Sequence, residues 1–505
     1  MEPSDIFLSL ILAIFSLFCL SLLHRKQKST STTNDNNSSS SSYGDDEEEL
    51  IRLPPGRTGF PFIGETFDYY LKSRKGFQFK FVRDRTEQFS TNIFRTSLLG
   101  QKMVILGTAQ GNKFLFSNEN ILFRVWWPSM TDKIFPKSDN QPTNVHAKRL
   151  RDIISPLIHK VDGLRECIRI MDAVMKQHLE TYWKGRDEVK AGELVKKYAL
   201  ALGCNVFLGV DDQNEIDEIV TGIDGIEAAF FAAPINLPGT TLNRGLKASK
   251  VMRSKIEAIL KHKKTLLGSR KISTATPAAE IAKDFVAHML SSVDENGQVL
   301  KEEDIASHLV GLIEVGYTYL HSTLTMLIKI LAEHPHVYDS VLKEQKEIAS
   351  SKHPSDRLSW EDFRKMKYSW NVVCEVFRQC SPGVGGFREA LTDIKYDGYT
   401  IPKGWKVHWL LHSTHNNPKY FPDPEKFDPS RFEGDGPIPY TFIPFGGGLR
   451  MCPGNEYARL AILTFVHYLV NEYTWEQMIP DEKISYFPIQ VPAQGLPIRL
   501  YRRKA

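Results

Sequence analysis

The chain has 505 residues and a nearly balanced charge, with 64 basic and 60 acidic side chains and a formal net charge of +4. Nucleic-acid-binding domains are usually strongly basic, so this balance argues against a nucleic-acid partner. With 42% hydrophobic residues the chain can bury a large core, which favours one large domain over several small ones. Its six cysteines are scattered, without a C-x-x-C pair or zinc spacing, as is typical of a reducing compartment.

An apolar segment near the N-terminus is the first predicted element. Residues Ile6 to Leu23 carry no charge and are rich in Leu, Ile and Phe, and basic side chains follow at once between Arg25 and Lys28. A cleaved secretory signal carries its positive charge before the apolar core, so the order here is reversed. We therefore predict that residues 1–28 form a single uncleaved membrane anchor, with the rest of the chain on the cytosolic side.

Residues 29–49 form a low-complexity segment rich in Ser, Thr and Asn that ends in an acidic run. Such a composition cannot bury enough apolar surface to fold, so it predicts a disordered linker. A proline-rich stretch from Leu53 to Gly64 follows, and its prolines fix the direction in which the folded body leaves the membrane. We predict a catalytic domain over residues 50–505, with short strands near 92–99 and 104–106 and then helices joined by brief turns.

A long helix is predicted from Asp304 to His334, and its centre reads Val-Gly-Tyr-Thr-Tyr over residues 315–319. Within it, Glu314 and Thr318 are four residues apart and therefore lie on the same helical face. The more common interpretation of such a glutamate is a charge directed at neighbouring helices or at solvent.

A second helix, predicted from Tyr368 to Cys380, contains Glu375 and Arg378. Glu and Arg at this spacing share one helical face and can form a charge-assisted bidentate pair. Taken alone, E-x-x-R usually indicates an exposed ion pair. The motif therefore depends on its context in the chain.

That context is a cysteine among glycines, in the run Phe-Gly-Gly-Gly-Leu-Arg-Met-Cys-Pro-Gly from Phe445 to Gly454. Small residues let backbone N–H groups approach the sulfur of Cys452, and nearby positive charge keeps a thiolate ionised. A thiolate presented in this way can hold a haem iron. The alternative for this stretch alone is a buried cysteine beside a glycine-rich turn.

The spacing F-x-x-G-x-R-x-C-x-G resembles the haem-binding signature of the cytochromes P450. The resemblance implies a mostly α-helical fold with small β-sheets, here preceded by the single N-terminal transmembrane helix. It implies haem b as the cofactor, with Cys452 as the axial thiolate and sole protein ligand of the metal. It also implies that Arg450 contacts a haem propionate and that Phe445 lies at the cofactor.

Another segment, from Phe427 to Phe432, resembles the part of the family that supplies a second arginine to the E-x-x-R glutamate. By this resemblance Arg431 joins Glu375 and Arg378. We predict that these three residues form a buried structural network that supports the cysteine loop.

Four further runs narrow the resemblance, among them Trp126-Trp127-Pro128 and the stretch from Asp397 to Trp405. They resemble plant microsomal enzymes that oxidise cyclic triterpenes such as β-amyrin, and their diterpenoid-oxidising relatives. This implies a terpenoid-like substrate of plant specialised metabolism, location in the endoplasmic reticulum membrane, and electrons from NADPH through a separate NADPH–cytochrome P450 reductase. The chain offers no dinucleotide site of its own, because Gly446 to Gly448 lacks the strand-turn-helix frame of a phosphate-binding loop.

The long helix departs from the family at its centre, where an acid followed by a threonine is usual. Gly316 keeps space for dioxygen, but Thr318 stands where the acid is expected and Tyr319 where the threonine is expected. In the usual mechanism the acid and the alcohol organise water and deliver protons. Gly316, Thr318 and Tyr319 are therefore the candidate catalytic residues, and Glu314 is a further candidate proton source.

Three functional classes remain open after this departure. The first is a monooxygenase that inserts one oxygen atom of O₂ into an unactivated C–H bond. The second is an atypical reaction of the same family, such as desaturation, ring closure or isomerisation, in which proton delivery matters less. The third is a haem-binding partner without turnover. The intact cysteine signature favours them in this order, and product mass with labelled dioxygen discriminates between them.

Substrate contacts and further cofactor contacts are predicted by the same resemblance. The predicted pocket is lined by residues from three segments, namely Trp126, Trp127, Ile313, Tyr317, Val384 and Phe387. Aromatic side chains there suit a large apolar ring system, although each tryptophan is equally compatible with core packing. Arg388 and Arg151 are candidate propionate ligands, since buried carboxylates require cationic donors.

Overall fold

The computed structural model describes residues 52–503 apart from short gaps at residues 62, 75–77, 90, 137–142, 231, 233, 270–283, 294–296, 354 and 487–488. The predicted anchor over residues 1–28 and the predicted linker over residues 29–49 lie outside the described residues. Within the described ranges, no helix combines the length and the apolar character needed to cross a bilayer.

Most of the described chain is helical, which confirms the predicted mostly α fold. In chain order the helices are α1 (Thr66–Arg74), α2 (Gln78–Phe89), α3 (Ala109–Ser117), α4 (Ser129–Ile134), α5 (Thr143–Ile158), α6 (Val161–His178), α7 (Ala191–Leu208), α8 (Gln213–Ile219), α9 (Ile223–Phe230), α10 (Thr241–Ser269), α11 (Phe285–Ser291), α12 (Glu302–Glu333), α13 (Pro335–Ser350), α14 (Trp360–Lys365), α15 (Lys367–Gln379), α16 (Leu411–His415) and α17 (Asn455–Glu472).

The strands form small sheets. They are β1 (Ile93–Leu98), β2 (Gln101–Leu106), β3 (Phe123–Val125), β4 (Glu188–Lys190), β5 (Gly385–Ala390), β6 (Ile394–Tyr396), β7 (Tyr399–Ile401), β8 (Lys406–Leu410), β9 (Tyr473–Gln477), β10 (Ile484–Ser485), β11 (Val491–Pro492) and β12 (Pro497–Arg502). The largest sheet has the order β1-β2-β8-β5-β3, in which only the β2–β8 pair is parallel. A three-stranded sheet has the order β4-β12-β9, and β6–β7 and β10–β11 are two-stranded. The predicted strands near 92–99 and 104–106 correspond to β1 and β2.

Helix α12 runs through the main hydrophobic core. It has no proline inside, and Glu302, Glu303 and Asp304 lie in its first turn, where acidic side chains favour the helix dipole. Its 32 residues give a length of roughly 48 Å. Side chains are buried on most of its circumference, as expected for a helix at the centre of a large domain. It packs against α7 and α10, so the one face that is not covered by these helices borders the candidate site.

Helices α15 and α17 flank the cysteine loop. Helix α15 is amphipathic and ends at Cys380, shortly before Pro382, which cannot donate a helical hydrogen bond. Helix α17 begins at Asn455, three residues after Cys452. The loop is therefore held between two buried helices, and the sulfur lies near the positive end of the α17 dipole.

Candidate active site

The cysteine loop has a backbone shape that only glycine adopts easily. Gly446 and Gly448 have φ angles of 72° and 66°, in the left-handed region. A side chain at Gly448 would place its Cβ 2.5 Å from the carbonyl oxygen of Phe116. The N–H of Cys452 donates to the carbonyl of Phe445 at 2.9 Å and closes the loop. The glycines are thus required by the close approach of the loop to α3.

Cys452 differs from the other described cysteines in its surroundings. It is partly exposed, whereas Cys167, Cys204, Cys374 and Cys380 are buried within the described part of the chain. Burial raises the pKa of the Cys452 thiol, and the N–H of Gly454 and the charge of Arg151 lower it. A sulfur with backbone donation and a nearby cation is suited to bind a metal as a thiolate.

Three arginines that the sequence predicts as cofactor ligands lie close to one another. Arg151 donates to the carbonyl of Met451 at 2.6 Å, directly beside the cysteine. Burial lowers the pKa of Arg151 and that of Arg388, and the charge of Arg450 lowers both further. Like charges gathered in a buried place are costly unless an anion joins them. Glu119 compensates part of this charge, because it raises the pKa of Arg151 and of Arg388, and the gathering of three arginines beside the cysteine suits an anionic cofactor group.

Arg388 has a protein partner that the sequence did not indicate. Its Nε donates to Glu119 Oε1 at 2.7 Å, and its terminal nitrogen also contacts Glu119. The other oxygen of Glu119 is buried and has no hydrogen-bond partner among the residues that the structure describes. Arg388 is thus held in place by Glu119 at the end of α3, and its role as a propionate ligand stays a prediction.

The E-x-x-R pair is buried. Glu375 and Arg378 are both 0% exposed, and Arg378 donates from Nε at 2.7 Å and from a terminal nitrogen at 2.8 Å. The Nε of Arg431 lies 3.5 Å from Glu375 Oε1, and the backbone N–H of Asp428 donates to the same oxygen at 3.0 Å. Arg378 also donates to the carbonyl of Pro424 at 2.6 Å. The structure brings the three predicted residues together with backbone groups.

His415 is a site residue that sequence reasoning missed. Its Nε2 accepts the backbone N–H of Ile443 at 2.9 Å, and its Nδ1 lies 3.1 Å from the hydroxyl of Ser381. Its own carbonyl accepts a hydrogen bond from Arg378 at 3.0 Å. Burial lowers the pKa of His415 well below its usual value, which keeps the ring neutral. His415 therefore connects the E-x-x-R pair to the segment that leads into the cysteine loop, and no motif signals it.

One face of α12 borders an interior cavity. Val315 and Tyr319 are 44% and 45% exposed, although the rest of the helix centre is largely buried. Burial nevertheless raises the pKa of Tyr319, and the charges of Glu314 and Cys452 raise it further, so the ring lies inside the protein. Its hydroxyl lies 3.9 Å from the position that a Cβ would take at Gly383. Tyr319 and Cys452 therefore face a common interior space.

The opposite face of α12 carries two of the predicted pocket residues. Ile313 packs toward α7, where a Cβ at Gly203 would lie 3.6 Å from it. Tyr317 is 2% exposed and donates its hydroxyl to Asp224 at 3.0 Å. The helical period turns both side chains toward neighbouring helices, away from Val315 and Tyr319, and their contact with substrate stays a prediction.

The remaining predicted pocket residues cluster around β5. Trp126 and Trp127 each meet Phe387 edge to face, with ring centroids 5.6 and 6.2 Å apart. Phe387 in turn stacks on His408 at 4.2 Å. The carbonyl of Val384 accepts the N–H of Leu411 at 3.4 Å. Both tryptophans, Val384 and Phe387 thus lie in or beside the same small sheet, and their contact with substrate stays a prediction.

Comparison with known proteins places this geometry in a family. The Cytochrome P450 family model matches residues 54–497. A β-amyrin 16-β-monooxygenase from Platycodon grandiflorus is 47% identical over 459 residues, covering 90% of this chain and 94% of the relative. A β-amyrin 28-monooxygenase from Medicago truncatula is 42% identical and is matched over 100% of both chains.

A solved structure shares the fold. The retinoic-acid-bound cyanobacterial CYP120A1 has a TM-score of 0.79 and 28% sequence identity, covering 90% of this chain and 100% of that one. With a family model that spans most of the chain and relatives above 40% identity, this chain belongs to the cytochrome P450 family of haem-thiolate oxidoreductases.

Proposed function

We propose that this protein is a membrane-anchored monooxygenase that uses O₂ and NADPH-derived electrons to oxidise a triterpenoid-like substrate of plant specialised metabolism. One observation carries the catalytic part of this proposal. Tyr319 on α12 is 45% exposed although burial raises its pKa, and the charge of Cys452 raises that pKa further, so the open face of α12 lies near the cysteine loop inside the protein. A thiolate and an open helical face opposite it are the two surfaces between which the family binds haem and substrate.

The residues around Cys452 fit haem b. Its iron requires the sulfur ligand, and its propionates require cations, which Arg151, Arg388 and Arg450 supply from three elements. Phe445, at the start of the loop, packs edge to face on Phe377 of α15 with centroids 5.4 Å apart. When bound, haem supplies the oxygen-activating redox chemistry, with electrons delivered by the separate reductase.

Around that group the chain's own residues have separable roles. Glu375, Arg378 and Arg431 fix the loop from behind through buried, charge-assisted hydrogen bonds. Val315 leaves room on the open face of α12, and Tyr319 limits that room with its ring, whereas a Cβ at Gly316 would lie 3.9 Å from Phe207 of α7. These positions orient the substrate and exclude water from the reacting carbon.

The substrate class is supported by the relatives and by the chemistry of the predicted pocket. Two of the similar plant proteins are named as β-amyrin monooxygenases that act at carbon 16 or carbon 28. The aromatic group of Trp126, Trp127 and Phe387 offers flat apolar surfaces to a fused ring system. A triterpenoid of the β-amyrin type is therefore the first substrate to test.

A second candidate function is an atypical reaction of the same site, such as desaturation, ring closure or isomerisation. The observation that favours it is Tyr319, which occupies the cavity face where the family has a small alcohol. A bulky phenol near the reacting carbon restricts where the substrate can sit and can divert the outcome from simple hydroxylation.

The deciding experiment is turnover of β-amyrin by the protein co-expressed with a plant NADPH–cytochrome P450 reductase under ¹⁸O₂. We expect a product heavier by one labelled oxygen atom. Cys452→Ser is the matched negative control. An unlabelled product with altered unsaturation or ring number would support the atypical reaction. Absence of any product and of any substrate-induced haem spectral shift, across β-amyrin and other triterpenoids and diterpenoids, would contradict the substrate class.

Anchoring in the endoplasmic reticulum membrane is supported by the uncharged segment Ile6 to Leu23 and by the basic residues after it. Deletion of residues 2–49 should move the protein from the membrane fraction toward the soluble fraction while haem binding survives. A truncated protein that stays as firmly in the membrane as the full chain would contradict the anchor.

A further inference from the structure

Two buried carboxyl groups lie on α9 and α12. Glu227 on α9 is 6% exposed and Glu314 on α12 is 3% exposed. The Oε1 atom of Glu227 is buried and has no hydrogen-bond partner within the described part of the chain. The one hydrogen bond to Glu314 comes from the hydroxyl of Thr318 at 3.2 Å, again among described residues. Buried carboxyl groups with so few donors are stable only when they hold protons.

Their surroundings favour the protonated form near neutral pH. Burial, followed by the charge of Glu227, raises the pKa of Glu314 to about 8, and the Thr318 hydroxyl lowers it somewhat. Burial, followed by the charge of Asp224, raises the pKa of Glu227 to about 7, and Lys196 opposes this shift. The titratable and charged groups that face the pair are Asp224 on α9, Lys196 on α7, and Tyr317, Tyr319 and His321 on α12.

The pair is connected to solvent on one side. Asp224 lies one turn before Glu227 on α9, and its side chain is 65% exposed. It accepts from Lys196 at 2.6 Å and from the Tyr317 hydroxyl at 3.0 Å, and His321 stacks on that tyrosine with centroids 5.6 Å apart. These contacts hold an exposed carboxylate at the outer end of the buried pair.

Thr318 connects the pair to the cavity on the other side. Successive residues are about 100° apart around a helix, so Thr318 points between the direction of Glu314 and that of Val315 and Tyr319. Its hydroxyl hydrogen can rotate between a partner on either side. Thr318 therefore lies at the boundary between the buried carboxyl pair and the cavity face.

We propose that Glu314, resupplied by Glu227, donates protons toward the cavity through the hydroxyl of Thr318, in place of the acid that Thr318 replaces. This rests on the proposed monooxygenase function, because that reaction takes up protons together with electrons and O₂. In each transfer Glu314 gives a proton to Thr318 Oγ1 and Thr318 passes its own hydroxyl proton to water on the cavity side. The carboxylate left on Glu314 takes a proton from Glu227, which takes one from solvent beside Asp224.

The first test is an infrared titration of the haem-loaded full chain without substrate. We expect a carbonyl band of a protonated carboxyl group that disappears as the pH rises through about 8 and that is absent in Glu314→Gln. Glu303→Gln is the matched control, because Glu303 lies on the same helix and is exposed. A wild-type spectrum without a band that disappears near pH 8, or the survival of that same band in Glu314→Gln, overturns the proposal whatever the substrate is, and a separate band that disappears near pH 7 belongs to Glu227.

The second test measures the share of NADPH electrons recovered in product, with the remainder measured as peroxide, as a function of pH. General acids contribute roughly 100-fold or more to such steps, so we expect at least a ~10-fold lower share in Glu314→Gln. Thr318→Val, which keeps the shape and removes the hydroxyl, should give the same loss, and Glu227→Gln should narrow the active pH range. Wild type should lose product share as the pH rises through about 8.

The outcomes separate the two proposals. If no terpenoid is turned over but the infrared band behaves as expected, the proposed substrate is wrong and the buried acid stands. If product forms and its electron share is unchanged in both Glu314→Gln and Thr318→Val, the proton route is wrong and the proposed function stands.

Discussion

Buried glutamates occur on both sides of the candidate site, and their surroundings are opposite. Glu375, behind the cysteine loop, receives two hydrogen bonds from Arg378, one from the N–H of Asp428, and the nearby charge of Arg431. Glu314, on α12, receives one hydrogen bond, from the hydroxyl of Thr318, and faces a second carboxyl group, Glu227. A compensated buried carboxylate stiffens a structure, whereas an uncompensated one is a group that exchanges protons.

This contrast agrees with the roles proposed for the two regions. The loop that presents Cys452 has to hold one geometry, and a network of fixed charges does that. Helix α12 has to pass protons during turnover. A carboxylate held there in a fixed ion pair would stay ionised and could not pass them on.

The largest expected effect comes from removing the sulfur of Cys452, whose loop is supported by the network of Glu375, Arg378 and Arg431. In Cys452→Ser the sulfur is lost, and with it the electron donation that characterises thiolate-bound haem iron. We expect complete loss of the red-shifted absorption band of the reduced carbon-monoxide complex and no turnover. Cys204→Ala, which removes a buried cysteine on α7, should keep the band. A Cys452→Ser protein with the wild-type band would refute the ligand assignment.

The next effect tests whether Glu375 is structural. Glu375→Ala leaves Arg378 buried without its partner, which we expect to cost on the order of 3 to 5 kcal/mol of unfolding free energy and to reduce haem occupancy. The matched control is Glu188→Ala, whose partner Arg499 makes a similar two-nitrogen contact on the surface, with both side chains about half exposed. That pair should contribute little to stability, because solvent and salt screen it. Equal melting temperatures for the two variants would contradict the comparison.

The sequence predicted the side of the site that carries the cysteine loop well, because each of its motifs lies within a short stretch of the chain. The spacing from Phe445 to Gly454 specifies a loop whose glycines meet α3, and Glu375 and Arg378 lie one helical turn apart. Even so, burial of the pair followed from the family context and not from the motif. The contribution of His415 could not be predicted, since its partners Ile443 and Ser381 lie 28 and 34 residues away.

The α12 side of the site was harder to predict, because the carboxyl partner of Glu314 comes from a separate helix, α9. Glu314 was recognised as a candidate, but Glu227 on α9 lies 87 residues earlier and carries no motif. The surroundings of each side chain of α12 depend on which helices pack against it, so the sequence could not show that Ile313 is fully buried or that Tyr317 donates to Asp224. Periodicity gives the faces of a helix, but only packing shows which face is open.

A third prediction concerns the pH dependence of stability. The pKa values of Glu227 and Glu314 are raised from 4.5 to about 7 and about 8 in the folded state. The folded protein therefore binds more protons than the unfolded chain between these values, and stability falls as the pH rises from about 4.5 to about 8. We expect a loss on the order of 3 to 5 kcal/mol for each of the two groups over this window.

Denaturant unfolding at a series of pH values measures the slope of the unfolding free energy against pH. The double variant Glu227→Gln with Glu314→Gln should flatten it, whereas Glu303→Gln should not. If wild type and the double variant have the same slope, the two carboxyl groups are already ionised in the folded state, and the contrast with Glu375 disappears.

The smallest expected effect concerns the cavity wall between Tyr319 and Gly383. A Cβ at Gly383 would lie 3.8 Å from the Tyr319 ring and 3.6 Å from Leu411, which are ordinary contacts, so Gly383→Ala should change stability by less than about 0.5 kcal/mol. Gly383→Leu overpacks the gap and should cost roughly 1 to 2 kcal/mol. Adding Tyr319→Ala should relieve that cost, while Tyr319→Phe, which keeps the ring, should not. Additive stabilities in this double-mutant cycle would show that the two residues do not share a wall, and Tyr319 would then not limit the space available to the substrate.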